Sequence, residues 1–145
     1  MFMGQYQHNI DMKGRLTRPS RFRELIADGA YIIQGFDRNL MVLTSQTFEN
    51  ISSSLSRMNM TDPSARLLSR LVYAHGGRLE VDKAGRILIP DFLRQNASLE
   101  ESAIVVGVGE YFEIWSPEEW NKQVMQIKDT DANAQRFVAF NLSSG

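Results

Sequence analysis

The chain contains no cysteine, which excludes a disulfide framework and thiolate metal sites and fits a reducing compartment. Its two histidines, His8 and His75, stand far apart and form no metal-ligand cluster with other residues, so neither a metal nor a cofactor is expected. No apolar run approaches the roughly 20 residues that a membrane-spanning helix needs. The opening Met1-Phe-Met-Gly-Gln-Tyr6 has neither the basic nor the apolar region of a secretory signal. A soluble, cytoplasmic protein without a small-molecule substrate is the expectation. Positive charge is not in excess either: 16 Lys and Arg against 17 Asp and Glu give a formal net charge of -1, which on the sum alone argues against a nucleic-acid binder.

What is present is ordinary in amount and unusual in arrangement. With 145 residues, 43% of them hydrophobic and 23% charged, the chain is sized for one domain or two small lobes sharing a core. Five cations, Lys13, Arg15, Arg18, Arg21 and Arg23, crowd one short stretch, while acids gather at Glu100-Glu101, Glu118-Glu119 and Asp129 to Asp131. Distribution matters more than the sum for a nucleic-acid partner, and here basic charge is focused near the N-terminus.

That basic stretch has a second copy. Asp11-Met-Lys-Gly14-Arg15-Leu-Thr-Arg-Pro19-Ser-Arg-Phe-Arg23 recurs 71 positions later as Asp82-Lys-Ala-Gly85-Arg86-Ile-Leu-Ile-Pro90-Asp-Phe-Leu-Arg94. Asp, Gly, Arg, Pro and the final Arg are identical, and Leu16/Ile87 and Phe22/Leu93 keep their apolar character. With one residue inserted, Ile32 to Gly35 aligns with Ile104 to Gly107, Leu40 to Thr44 with Phe112 to Ser116, and Phe48 with Trp120. Two units predict a pseudo-symmetric domain, since an open solenoid needs at least three repeats to bury its faces.

Local chemistry predicts the elements. Gln5 to Ile10 and Arg15 to Thr17 read as a β-hairpin closed by Asp11 to Gly14, where Asp accepts a backbone N–H and Gly supplies the positive φ. Arg15, just past the turn, is expected to project into solvent from the tip. Pro19 suits the first position of a short helix ended by Asp28-Gly29, and Tyr31–Gln34 and Leu40–Leu43 read as strands. A helix follows with Thr44 as N-cap and Leu43 stapled to Phe48, then another with Asp62 as cap and Pro63 first, stopped by Gly76-Gly77. The second unit repeats the plan: strand Arg78–Val81, turn, strand Ile87–Ile89, helix Pro90–Asn96, strands Ala103–Val108 and Tyr111–Trp115. A capping box at Ser116 to Glu119 with a Trp115/Trp120 staple then opens the last long helix. After Lys128 the apolar Ala132, Phe137, Val138 and Phe140 are candidates to dock on the body, with Asn141 to Gly145 loose.

The doubled Asp-x-x-Gly-Arg tip, the strand ending in Pro, the short helix, two strands and a capped helix resemble the MraZ family of the AbrB-like swapped-hairpin superfamily. Met1-Phe-Met-Gly4 also resembles that family's start, and the similarity runs to about residue 128. The resemblance implies an α+β fold: a pseudo-two-fold, double-psi-like (swapped-hairpin) β-barrel from two tandem AbrB-like repeats with flanking helices. It divides the chain into a first repeat (1–55), a connecting helix (56–77), a second repeat (78–128) and a tail (129–145). It further implies a ring-shaped homo-oligomer acting as a sequence-specific transcriptional regulator. Its partner would be double-stranded DNA at short direct repeats upstream of the division and cell-wall gene cluster, in the nucleoid. Asp11, Arg15, Asp82 and Arg86 are the residues carried over.

A hairpin needs Asp and Gly but has no use for Arg at both equivalent positions. Asp11, Gly14, Asp82 and Gly85 are therefore expected to pin the loops, and Arg15 and Arg86 to present planar forks to phosphate or a guanine edge. Lys13, Arg18 and Arg21, with Arg23, read as phosphate-positioning charges or as a solvated basic face. Arg18 stands where the second unit has Ile89, either because the strand end is open to solvent or because it is a further phosphate contact. Arg66, Arg70 and Arg78 read as helix-surface or subunit-contact residues. Gly107-Val-Gly109 lacks the third glycine of a dinucleotide loop and reads as a turn. No catalytic constellation emerges, and an enzyme is not expected. The competing reading is an AbrB-like protein-interaction or assembly module without sequence-specific DNA binding, though residues 129 to 145 are short for a partner-binding appendage.

Overall fold

The computed structural model of the protein describes residues 1–17 and 19–144. Its elements in chain order begin with β1 (Gln5–Asn9), β2 (Arg15–Leu16), α1 (Ser20–Leu25), β3 (Ala30–Gln34), β4 (Leu40–Thr44), α2 (Ser45–Ser56) and α3 (Pro63–Ala74). They continue with β5 (Gly77–Arg78), β6 (Glu80–Val81), β7 (Ile87–Leu88), α4 (Asp91–Asn96), β8 (Ser102–Gly107), β9 (Tyr111–Trp115), α5 (Pro117–Lys128) and α6 (Thr130–Arg136). The predicted role of Arg18 concerns a position outside the described residues.

The repeat written in the sequence is a repeat in space. A six-stranded antiparallel sheet runs β1-β8-β9-β4-β3-β5, and a smaller sheet runs β2-β7-β6. Reading the larger sheet from either edge gives equivalent strands of the two units. At its centre Leu40 faces Ile114, Met41 faces Glu113 and Val42 faces Phe112. In the smaller sheet Leu16 faces Ile87. Each unit's equivalent residues thus meet one another at Met41/Glu113 and at Leu16/Ile87, and a pseudo-two-fold axis passes through both points.

The first predicted hairpin is corrected by this arrangement, whereas the second is kept where Glu80 and Val81 pair with Leu88 and Ile87. Gln5–Asn9 does not pair with Arg15–Leu16; it lies along β8 of the other unit, from Gln5 opposite Val106 to Asn9 opposite Ser102. Reciprocally, β5 pairs with β3. At its tip the first hairpin stays closed by the Ile10–Leu16 bridge and by the Asp11 N–H, which donates to Arg15 O at 3.1 Å. A polar strand such as Gln5-Tyr-Gln-His-Asn9 has too little apolar surface to hold a two-stranded ribbon, which is marginal alone. Beside the buried Ala103 and Val105 its backbone gains a full-length ladder. The second unit's opening strand likewise divides at Leu79, whose N–H donates to Ala30 O at 2.9 Å.

One core lies against the inner face of the six-stranded sheet and takes both units' equivalents: Leu16 and Ile87, Phe22 and Leu93, Leu40 and Phe112, all sealed from solvent. Each such side chain contributes about 1.5–3 kcal/mol relative to exposure. Phe2 joins this core, its ring 5.0 Å from that of Phe22 and 5.3 Å from that of Phe112. That contact explains the Gly107-Val-Gly109 turn. Phe2 pairs with Gly109, and a Cβ on Gly107 would collide with the Phe2 and Met3 backbone.

On the outer face α2 and α3 cover Ile33, Met41 and Leu43 with Leu55 and Val72. Their starts are as predicted: the Thr44 side chain accepts from Thr47 N at 3.1 Å, and Asp62 accepts from Ser64 N at 2.9 Å ahead of Pro63. Ser116 caps α5 by accepting from Glu119 N at 3.1 Å, and the Trp115 and Trp120 rings lie 5.8 Å apart. The Glu119 carboxylate pairs with Lys122 at 3.1 Å. Pro19 is the N-cap of α1 and not its first helical residue, one position earlier than expected, and Pro90 caps α4 in the same way. The tail also departs from expectation: it forms α6, and Phe137, Val138 and Phe140 remain exposed. The Phe137 and Phe140 rings pair with each other, their centroids 6.5 Å apart.

Candidate nucleic-acid interface

The two Asp-x-x-Gly-Arg loops have the same hydrogen bonds. In the first, Asp11 Oδ1 accepts from the backbone N–H groups of Lys13 at 3.0 Å and Arg15 at 2.9 Å, while Oδ2 accepts from Arg15 Nε at 2.6 Å. In the second, Asp82 Oδ1 accepts from Ala84 at 3.0 Å and Arg86 at 2.8 Å, and Oδ2 from Arg86 Nε at 2.9 Å. Gly14 and Gly85 close the loops at φ +83 and +82, each donating its N–H to the aspartate's own carbonyl at 3.0 Å. Only glycine adopts that backbone routinely.

This geometry ties each aspartate to the backbone of its own loop and corrects the expectation for Arg15. Its side chain is 32% exposed, as is that of Arg86, because a carboxylate four residues earlier folds each guanidinium back along its loop. The backbone N–H of Arg15, with the Arg15 guanidinium and Lys13 N–H, holds the Asp11 carboxyl below its ordinary pKa despite partial desolvation. The Arg86 N–H, with the Arg86 guanidinium, does the same for Asp82. Both carboxylates are therefore charged at neutral pH. A guanidinium has five N–H donors, and the Asp11 carboxylate engages Nε of Arg15 alone, which leaves its outer N–H groups available to an anion.

Strand exchange sets the two tips side by side. Arg86 Nη1 lies 3.6 Å from Asp11 Oδ2, so one carboxylate faces an arginine from each unit. His8, Asp11, Arg15, Thr17 and Arg86 line one concave surface there. His8 Nδ1 pairs with Thr17 Oγ1 at 2.8 Å, and burial lowers the imidazole pKa, which keeps it neutral. Lys13 is exposed nearby. Arg21 is exposed as well, with its guanidinium 4.9 Å over the Tyr6 ring and Nη2 donating to Met3 O at 3.3 Å.

The tips are also latched across the units. A Cβ on Gly14 would meet Arg94 Cζ at 2.8 Å and Ile89 O at 2.9 Å, and a Cβ on Gly85 would meet the Arg23 guanidinium. Each unit's short helix therefore lays its last arginine over the other unit's tip glycine. Basic charge that is clustered on the first unit in the sequence is thereby shared with the second unit's tip. Sequence reading noted the identity of Arg23 and Arg94 but gave Arg94 no role. The signal was there in the repeat; which glycine each arginine covers was not. Among the described residues there is no group of three or more His, Asp or Glu placed to hold a metal ion, and no helix is long and apolar enough to cross a membrane.

These features define a class: a tandem-repeat α+β protein whose two halves exchange strands and present paired, carboxylate-pinned arginine tips. Both halves match the model of the MraZ family, described as "MraZ protein, putative antitoxin-like", at residues 1–71 and 72–141. The chain belongs to the MraZ family. It is 38% identical to a Herpetosiphon aurantiacus protein over 98% of this chain and 100% of that one. It is 44% identical to one from Thermomicrobium roseum over 85% of this chain and 87% of that one. A Heliobacterium modesticaldum protein is 41% identical over 98% of this chain and 100% of its own length. Each of the three is named "Transcriptional regulator MraZ".

Proposed function

We propose that the protein is a non-enzymatic, cytoplasmic and nucleoid-associated transcriptional regulator. In this reading it binds short direct repeats in double-stranded DNA upstream of the division and cell-wall gene cluster. The name borne by its relatives supports regulation of transcription. The observation that carries the DNA-binding reading is the pairing of the two tips, with Asp11 between Arg15 and Arg86. A carboxylate that holds a guanidinium still fixes the direction of the outer N–H groups, so the fork meets phosphate or guanine with little ordering cost. Lys13 and Arg21 add phosphate contacts beside it, and Arg18 joins them on the sequence alone. The two sheets are read as halves of one closed swapped-hairpin barrel, with repeats at 1–55 and 78–128 joined by 56–77 and followed by a tail at 129–145.

A subunit of net charge -1 is a poor ligand for a polyanion. A ring-shaped homo-oligomer removes the difficulty, since linked weak contacts to successive repeats gain ~10²–10⁴ in avidity when the spacing allows. Selection from a random-site DNA library at two salt concentrations tests the reading: a short motif recurring at fixed spacing supports it, and unenriched sequence rejects it. On the selected duplex, Arg15→Ala and Arg86→Ala each lower affinity; unchanged affinity removes these residues from the interface. Light scattering reports the mass of the assembly, and a monomer that binds one repeat tightly contradicts the ring.

A further inference from the structure

The two tips match in backbone and differ in charge. Over Gly14 lies Arg94, whose side chain is 21% exposed and whose Nη2 is paired with Asp91 Oδ1 at 3.1 Å. Over Gly85 lies Arg23, which is exposed and has no ion pair or hydrogen bond among the described residues. The difference traces to one position of the repeat, where the second unit has Asp91 and the first has Ser20. Arg94 is thus compensated within its own helix, whereas Arg23 has no such partner among the described residues.

From this, and resting on the DNA-binding reading above, we propose that the second tip is a composite phosphate site. Arg23 of the first repeat joins Arg86 and the exposed Lys83 of the second repeat around Gly85 to hold the DNA backbone, whereas Arg94 only latches the first tip. The strand exchange is what assembles the site. Arg86 is oriented by Asp82 and Asp11, and Arg23 adds the uncompensated charge beside it. A guanidinium over a glycine is open to a phosphate oxygen, because no side chain intervenes. Among the described residues the first tip has no equivalent free cation over its glycine, so the two tips share the work unequally: both carry a reading arginine, and the second carries an additional backbone clamp.

The salt dependence of binding to a fluorescent mixed-sequence DNA duplex tests this, because each neutralised phosphate adds about 0.9 to the slope of log affinity against log salt. Arg23→Gln is expected to flatten the slope by about 0.9, which makes its loss of affinity between roughly 50 and 200 mM salt about threefold smaller than that of the parent protein. Arg23→Lys keeps the charge and the slope, which a purely structural latch would not predict. Arg94→Gln keeps the slope and lowers the melting temperature. Arg57→Gln, on the opposite side of the six-stranded sheet, controls for net charge and changes neither. If Arg23→Gln retains the parent slope, or Arg94→Gln loses as much, the composite site is wrong and the DNA-binding reading stands. If the parent protein itself fails to bind the duplex at low salt, both fall.

Discussion

Arg86 of the second repeat reaches Asp11 of the first, Nη1 to Oδ2 at 3.6 Å. No equivalent contact joins Arg15 to Asp82 among the described ion pairs. Asp11 therefore faces two guanidinium groups and Asp82 one, so two loops with the same internal bonds carry different loads.

Asp11→Asn is expected to lower the melting temperature more than Asp82→Asn at neutral pH, since it removes the charge that faces both arginines. The pH dependence has a definite sign. Both carboxyl groups have folded-state pKa values below the ordinary 3.8, so their stabilisation is present above that value and is lost as pH falls through the lowered folded pKa. In melts followed by circular dichroism, the gap between each Asn variant and the parent protein narrows as the solution is acidified. A gap that widens contradicts the ion-pair role.

Gly14→Ala and Gly85→Ala separate the two latches. Both place a side chain at positive φ, at a cost of roughly 1–2 kcal/mol. At Gly85 the obstructing atoms belong to the flexible end of Arg23, which swings aside, whereas at Gly14 they include the fixed Ile89 carbonyl. The prediction is a loss near that range for Gly85→Ala and a larger one for Gly14→Ala, read from denaturant melts. Equal losses would mean that the cross-unit packing is looser than drawn.

Leu16 and Ile87 face each other where the pseudo-two-fold axis crosses the smaller sheet, and neither is exposed. Replacing either with Ala leaves a cavity between the units and costs about 2–5 kcal/mol. Because the two side chains share one cavity, the double variant is expected to deviate from the sum of the singles. Additive losses in a double-mutant cycle would argue against direct contact.

Glu113 sits opposite Met41 at the other crossing of that axis. Burial raises its pKa above 4.5, although the Trp115 indole N–H, donating to Oε1 at 2.9 Å, and the Asn39 amide favour the charged form. The charged form thus costs more in the folded chain than in the unfolded one, and stability falls as pH rises from the ordinary carboxylate value through the raised one. Glu113→Gln keeps an oxygen for the indole and removes the charge. The variant should melt higher than the parent at neutral pH and lose that advantage in acid; a variant less stable at neutral pH would show that the charged form is the one the site requires.

Much of this was legible in the residues. The recurrence of Asp, Gly, Arg and Pro at a constant offset predicted two copies of one unit, and short-range chemistry predicted the caps at Thr44, Asp62 and Ser116. Those features depend on neighbours within four residues, where sequence spacing is spatial spacing. The hairpin expected at Gln5 to Thr17 failed for the opposite reason. Alternation and a good turn say that a strand exists but not which strand completes its ladder, and here β8, with buried Ala103 and Val105, took β1.

The site divides the same way. The sequence by itself determined that Asp11 and Asp82 would pin their loops and that Arg15 and Arg86 would flank them, because a carboxylate four residues before an arginine reaches it whatever the rest of the chain does. Only the tertiary structure decided that the two tips would share Asp11 and that Arg23 and Arg94 would cross to each other's glycine. The physical reason is that these contacts join residues some sixty or more positions apart in the chain, brought together by apolar pairs such as Leu16 with Ile87 that reward burial from both units at once.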